Sequence, residues 1–188
     1  NNLAEFYRIQ RKYKDAEPLY LRSLSIREKQ LGENHPNVAT SLNNLAELYR
    51  KQGKYDEAKP LYLRSLSILE KQLGENHPNV ATSLNNLAEL YKSQEKYKDA
   101  EPLYQRSLFI REKQLGENHP DVAQSVNNLA GLYNSQGKYN EAEPLYQRAL
   151  QICEQTLDMA HPNTMTVREN YAQCLKQWVA SRKQTFPI

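Results

Sequence analysis

The chain has 188 residues, 39% of them apolar, and its 25 basic and 22 acidic side chains leave a formal net charge of only +3. The two signs are mixed along the whole length, so no basic stripe exists to follow a phosphate backbone, and nucleic acid is not an expected partner. No apolar run reaches the roughly 20 residues a membrane span needs, and no secretory signal opens the chain, so no membrane association and a cytoplasmic location are expected.

The first predicted element is a partial helix, "NNLAEFYR" from Asn1. The phrase returns as "NNLAELYR" from Asn43, "NNLAELYK" from Asn85 and "NNLAGLYN" from Asn127, always after 42 residues. A fixed period of this size marks a repeat protein, in which each unit buries its apolar face only by stacking on its neighbours. The spacing predicts a single repeat domain over residues 1–178. It contains a partial repeat at 1–35 and full repeats at 36–77, 78–119 and 120–161. By comparison with Pro78, the chain starts about seven residues into a helix, and that end presents apolar surface made for a neighbour.

The repeat at 78–119 shows the pattern of all. Val80, Ala81, Leu84, Leu87, Ala88 and Tyr91 fall on one stripe at helical spacing, predicting a helix, called A, from Pro78 to near Gln94. Proline suits the first helical position, where its missing N–H had no partner anyway. Ala100, Leu103, Tyr104, Ser107, Leu108 and Leu115 predict a second helix, B, from about Asp99 to Leu115, with Pro102 in its first turn and Gly116 as its C-cap. The links "QEKYK" and "GENH" allow only antiparallel neighbours, and no segment alternates like a strand. The expected fold class is all-α. The last unit departs from the others: "TMTVRENYAQCLKQW" predicts a closing helix over residues 162–178, and 179–188 form a tail without a repeat counterpart.

Recurring side chains that resemble chemistry have plainer explanations. Tyrosines recur in three registers, for example Tyr20, Tyr62, Tyr104 and Tyr146; without a basic groove they read as packing rather than as base-stacking platforms. His35, His77, His119 and His161 each precede a proline on successive loops, which suits a helix start and not the converging ligands that zinc requires. Cys153 and Cys174 do not follow the period and read as reduced, packed thiols. No nucleophile, base and orienting group come together, and there is no glycine-rich phosphate loop. No enzyme activity, cofactor or metal is expected.

Leu87, Ala88, Tyr91, Tyr97, Ala100, Tyr104 and Ser107 resemble the signature of the tetratricopeptide repeat. That unit usually has about 34 residues. The longer one here is similar to the repeats of kinesin light chains and of bacterial multi-repeat proteins. The resemblance implies an α-solenoid, a right-handed superhelix of antiparallel helix pairs whose A helices line a concave groove that holds peptide or protein partners. Carried onto this sequence, the groove positions are Thr82, Asn85, Glu89 and Lys92. Their counterparts at the 42-residue step are Asn43 and Asn127, Glu47, Arg50 and Asn134. An amide side chain offers one acceptor and two donors, so a row of first asparagines suits the backbone of an extended peptide. The second asparagine of each pair is expected to point elsewhere. Members that clamp a terminal carboxylate use Lys and Asn at such positions; Asn and Glu here imply no such clamp. Two other readings are self-association through the repeat ends and a regulatory role beside an enzyme domain elsewhere in a longer protein.

Overall fold

The computed structural model describes residues 2–185, with side chains through Arg182. Among the described residues there are nine α-helices and no strand. Contacts divide the chain into two compact units, Asn1–Lys96 and Tyr97–Ile188. The first contains α1 (Asn2–Ile9), α2 (Tyr13–Leu31), α3 (Pro36–Lys51), α4 (Tyr55–Leu73) and α5 (Pro78–Ser93). The second contains α6 (Tyr97–Leu115), α7 (Pro120–Ser135), α8 (Tyr139–Thr156) and α9 (Pro162–Thr185). Odd-numbered helices are the A helices of the repeat and even-numbered ones the B helices. None is long and apolar enough to cross a membrane.

Each A helix after α1 opens on a histidine. The Nδ1 atoms of His35, His77, His119 and His161 accept hydrogen bonds from the backbone N–H groups of Asn37, Asn79, Asp121 and Asn163, all at 3.1 Å. The imidazole thereby satisfies one of the donors that a helix start leaves without a partner. The proline that follows holds the first helical position in α3, α5 and α7.

The B helices begin at the tyrosine of "KY", two residues earlier than predicted, so Pro18, Pro60, Pro102 and Pro144 lie in the second turn rather than the first. Each deprives the carbonyl four residues earlier of its helical partner. Those residues, Lys14, Asp56, Lys98 and Asn140, are exposed, as the prolines are, so water takes the place of the lost bond.

The core of each unit is built from small residues and tyrosines. In the first, Ala4, Ala16 and Tyr20 pack with Leu45 and Leu48. In the second, Ala130, Ala142, Tyr146 and Cys174 form one cluster, and Val122, Ala123, Val126, Ala149, Ile152, Cys153 and Val167 another. Both thiols are buried and free, and burial pushes the pKa of each upward. Polar ties join successive repeats. Tyr49 Oη donates to Glu17 at 3.1 Å and Tyr133 Oη to Glu101 at 2.8 Å. Where the same register carries Lys59, its ammonium lies 5.4 Å from the Tyr91 ring centroid instead. Arg64 reaches Glu28 at 2.8 Å and Arg148 reaches Glu112 at 2.7 Å, each binding one B helix to the preceding one.

The closing helix, predicted to end at 178, continues to Thr185. No glycine or proline interrupts "VASRKQT", and Arg182 stacks 4.7 Å from the Trp178 ring, giving the extra turns a contact of their own. Most of the expected tail is therefore helical, and residues 186–188 lie outside the described residues. At the other end, Leu3, Phe6 and Ile9 are 55%, 53% and 69% exposed.

The turn from A to B requires a left-handed residue. Gly53 and Gly137 supply it with φ of 75° and 73°, whereas Arg11 and Glu95, in the same register, adopt φ of 58° with a side chain. A non-glycine residue in this region costs about 1–2 kcal/mol, partly offset by the chain entropy that glycine loses on folding. Glu95→Gly is expected to stabilise the protein by about 0.5–1 kcal/mol, measured by chemical denaturation. An unchanged or lower midpoint would show that the turn is not strained.

Candidate functional site

Two of the first asparagines, Asn43 and Asn127, do not lie open along a groove. Asn43 is 9% exposed and Asn127 8%. Asn43 Oδ1 accepts from Ser83 Oγ of α5 at 3.4 Å, so the amide sits between two consecutive A helices. Asn127 Oδ1 accepts from Asn170 Nδ2 of α9 at 3.1 Å, and its own Nδ2 faces Asn128 Oδ1 at 3.4 Å. Asn85 is half-buried. The Asn43 and Asn127 amides hold A helices to one another.

Two of the second asparagines, which were expected to point elsewhere, reach an open recess in the first unit. Asn2 and Asn44 line a recess with Glu5, Arg8 and Glu47, formed by α1 and α3. These positions recur every three residues along each helix and so share one face. The expected residues Glu47 and Arg50 are held on this side of α3. Arg50 grips Glu47 with two hydrogen bonds of 2.8 Å, from Nε and Nη2, and Tyr62 Oη of α4 donates to the same carboxylate at 2.9 Å. Glu5 is held in the same way by Arg8 and by Tyr20 Oη at 2.7 Å. Arg8 approaches Glu47 at 4.0 Å, and Arg50 Nη1 donates to Ser93 Oγ of α5 at 3.0 Å. On α5, Lys92 pairs with Glu89 at 3.5 Å, and Thr82 is exposed with its hydroxyl on the Pro78 carbonyl at 3.4 Å. A ladder of alternating charge thus crosses three A helices of this unit.

The second unit carries no such ladder on α7, where Gly131 and Asn134 occupy the registers of Glu47 and Arg50. Asn134 is half-buried, and its Oδ1 is enclosed without a hydrogen-bond partner. In place of the tyrosine–carboxylate bond, Tyr146 stacks on Tyr171 of α9 with centroids 5.9 Å apart and an interplanar angle of 23°.

Electrostatics keep Glu5 and Glu47 ionised. Burial raises the pKa of Glu47, but the Arg50 hydrogen bonds and charge, the Tyr62 hydroxyl and Lys51 outweigh it, and the net shift is downward. The Arg8 hydrogen bond brings Glu5 down to about 2. Burial beside Glu47 drives the Tyr62 phenol up, so it stays a donor. A carboxylate whose pKa is lower folded than unfolded stabilises the fold above its unfolded value, about 4.3, and loses that contribution as pH falls through the folded value. Glu47→Gln is therefore expected to cost about 2 kcal/mol at pH 7, because Arg50 loses its counter-charge, and the gap from wild type should narrow as pH falls below about 4.3, the unfolded value, and on through the lowered folded one. Thermal unfolding over an acid pH series measures it; a gap that does not narrow as the pH falls would mean that the ion pair is not its source.

The model of the tetratricopeptide repeat matches residues 1–71, 39–113, 94–155 and 121–178. No curated protein matches the chain. Among solved structures, the chain is similar to a Podosopora anserina protein described as a kinesin light chain with nearly identical TPR-like repeats. The two are 26% identical over 100% of this chain and 95% of that one, with a TM-score of 0.74. It is similar also to BtubC (BKLC) from P. vanneervenii, at 26% identity over 99% of this chain and 79% of that one, again with a TM-score of 0.74. These neighbours have the kinesin light chain-like repeat, a scaffold fold rather than a catalytic one. With nine helices among its described residues, its four-register signature and a family model matched from end to end of the repeats, the chain belongs to the tetratricopeptide repeat family, an all-α repeat fold.

Proposed function

We propose that the chain is a non-catalytic interaction scaffold of the cytoplasm, with its repeats acting as one domain and its A-helix faces holding an extended segment of a partner protein. Tetratricopeptide repeats mediate protein–protein interaction in general. The observation that carries the finer reading is the recess of Asn2, Glu5, Arg8, Asn44 and Glu47. Its amides can pair with both groups of a peptide backbone, while its charges are fixed in place by tyrosine hydroxyls before any partner arrives. Glu89, Lys92 and Thr82 extend the same chemistry onto α5. Each hydrogen bond contributes only about 0.5–1.5 kcal/mol, so affinity comes from several positions acting together. Alternating fixed charges favour a segment of mixed charge over a uniformly acidic or basic one.

A second reading, self-association, is favoured by the exposed edge of Leu3, Phe6 and Ile9, beside which Leu19 and Ile26 line an open recess. Apolar surface of this kind is what a preceding repeat or a second copy would cover.

Two measurements separate these readings. On an array of unbiased peptides, the double variant Asn2→Ala, Asn44→Ala should bind at least fivefold more weakly while its unfolding midpoint stays unchanged. Equal binding by the folded variant would remove the amide recess as the recognition surface. In a sedimentation series over concentration, self-association predicts dimers that Phe6→Glu abolishes, whereas a monomer at every concentration removes the second reading.

A further inference from the structure

The four repeats form an internal substitution series at one register of the B helices: Arg27, Leu69, Arg111 and Cys153. In α2, Arg27 Nη1 donates to the Asn37 carbonyl at 2.8 Å and to Ser41 Oγ at 3.0 Å, at the start of α3. In α6, Arg111 repeats this with the Asp121 carbonyl at 3.0 Å and Ser125 Oγ at 2.9 Å of α7. In α4 the register holds Leu69, which is 3% exposed, and Ser83 turns to Asn43 instead. The last member changes on both sides at once. Cys153 is shorter than either predecessor, and the serine seen at 41, 83 and 125 becomes Val167.

A small cleft of about 100 Å³ opens there, formed by α7, α8 and α9. Cys153 and Val167 form its floor, and Gln124, Asn128, Asn163 and Thr166 stand around it. None of the lining residues is charged. A cationic side chain would find neither the serine hydroxyl used by Arg27 and Arg111 nor a counter-ion, and leaving a charge unpaired in such a site is costly. An apolar side chain would fill the register that Leu69, buried in α4, fills there and that Cys153 is too short to fill. The polar rim is of the kind that bonds the backbone on either side of an inserted side chain.

We infer that this cleft is a side-chain pocket for a leucine- or methionine-sized residue of a partner peptide, with Cys153 as its specificity-determining floor. The inference rests on the peptide-binding reading above and adds to it the class of residue recognised. It also makes the register of Cys153 the position at which each repeat opens or closes such a pocket: arginine and leucine close it, cysteine opens it.

The test compares wild type with Cys153→Leu, which restores the residue native to α4, on the same peptide array. Folding is followed by helical content and thermal midpoint, which should equal or exceed those of wild type. Expected are peptides that contain a leucine or methionine whose replacement by alanine weakens binding at least tenfold, and that lose at least tenfold in affinity for the folded Cys153→Leu protein. Should the variant not fold, wild type alone decides the matter. At mildly alkaline pH, chosen because burial and Glu154 raise the thiol's pKa, methyl methanethiosulfonate converts the Cys153 thiol to a methyl disulfide and releases methanesulfinic acid. A bound peptide should slow that reaction at Cys153, located by mass spectrometry, at least fivefold. Peptides that bind wild type and Cys153→Leu equally, or that leave the labelling rate unchanged, overturn the pocket and leave the peptide-binding reading standing. An array on which nothing binds overturns both.

Discussion

Everything in this fold depends on how closely an A helix approaches its B helix, and two alanines set that distance. Ala46 and Ala58 are wholly buried, as are Ala130 and Ala142, one on each helix of a pair. A methyl group on each side lets the helix backbones come together where a larger residue would force them apart, and interiors packed this tightly resist such overpacking. Bringing the axes together at that point fixes where the rest of each helix lies. The tyrosine four residues beyond the B-helix alanine is then buried against the A helix, at Tyr62 and Tyr146 as at Tyr20.

That tyrosine links packing to the binding face. Its ring is buried, but its hydroxyl emerges beside the carboxylate of the A helix, which is how Tyr20 meets Glu5 and Tyr62 meets Glu47. A buried phenol needs a hydrogen-bond partner, and a carboxylate next to an arginine provides a strong one. The charges on the face are thus held from beneath by the core. Where glycine replaces the glutamate, at Gly131, the tyrosine below takes a different partner, the ring of Tyr171. The charged face of the first unit and the neutral one around α7 differ because Gly131 and Asn134 stand in the registers of Glu47 and Arg50, and the loss of the glutamate removes this bond with it.

The period, the helix pairs, the histidine starts and the buried tyrosines were legible because each leaves a local signal at fixed spacing. What a single helical stripe could not show was the face of the asparagines. A stripe drawn from apolar residues assumes one buried side and one wet side. An A helix in a repeat array has its own B helix, the preceding B helix and other A helices around it, so a polar residue 80° or so from the stripe can still be enclosed. Asn43 and Asn127 are buried in that way, whereas Asn44 reaches the open recess. Pro102 misled for a related reason: the exposed carbonyl before it removes the cost that would otherwise have placed it in the first turn.

Near-identity among the repeats makes their few differences informative. A substitution in one unit is seen against the same backbone and the same neighbours in the others, so its effect can be read as from a mutant series. Lys59 in place of a glutamate exchanges a hydrogen bond to tyrosine for a cation over its ring and leaves the packing alone. Glu95 in place of glycine keeps the turn at the expense of strain. Cys153 in place of leucine or arginine is of another kind, because nothing in the chain refills the space: Val167 makes the opposite wall more apolar but does not occupy it. Two coordinated changes that leave an uncharged cleft reverse what the other repeats do at that register, which is to fill it from within the chain.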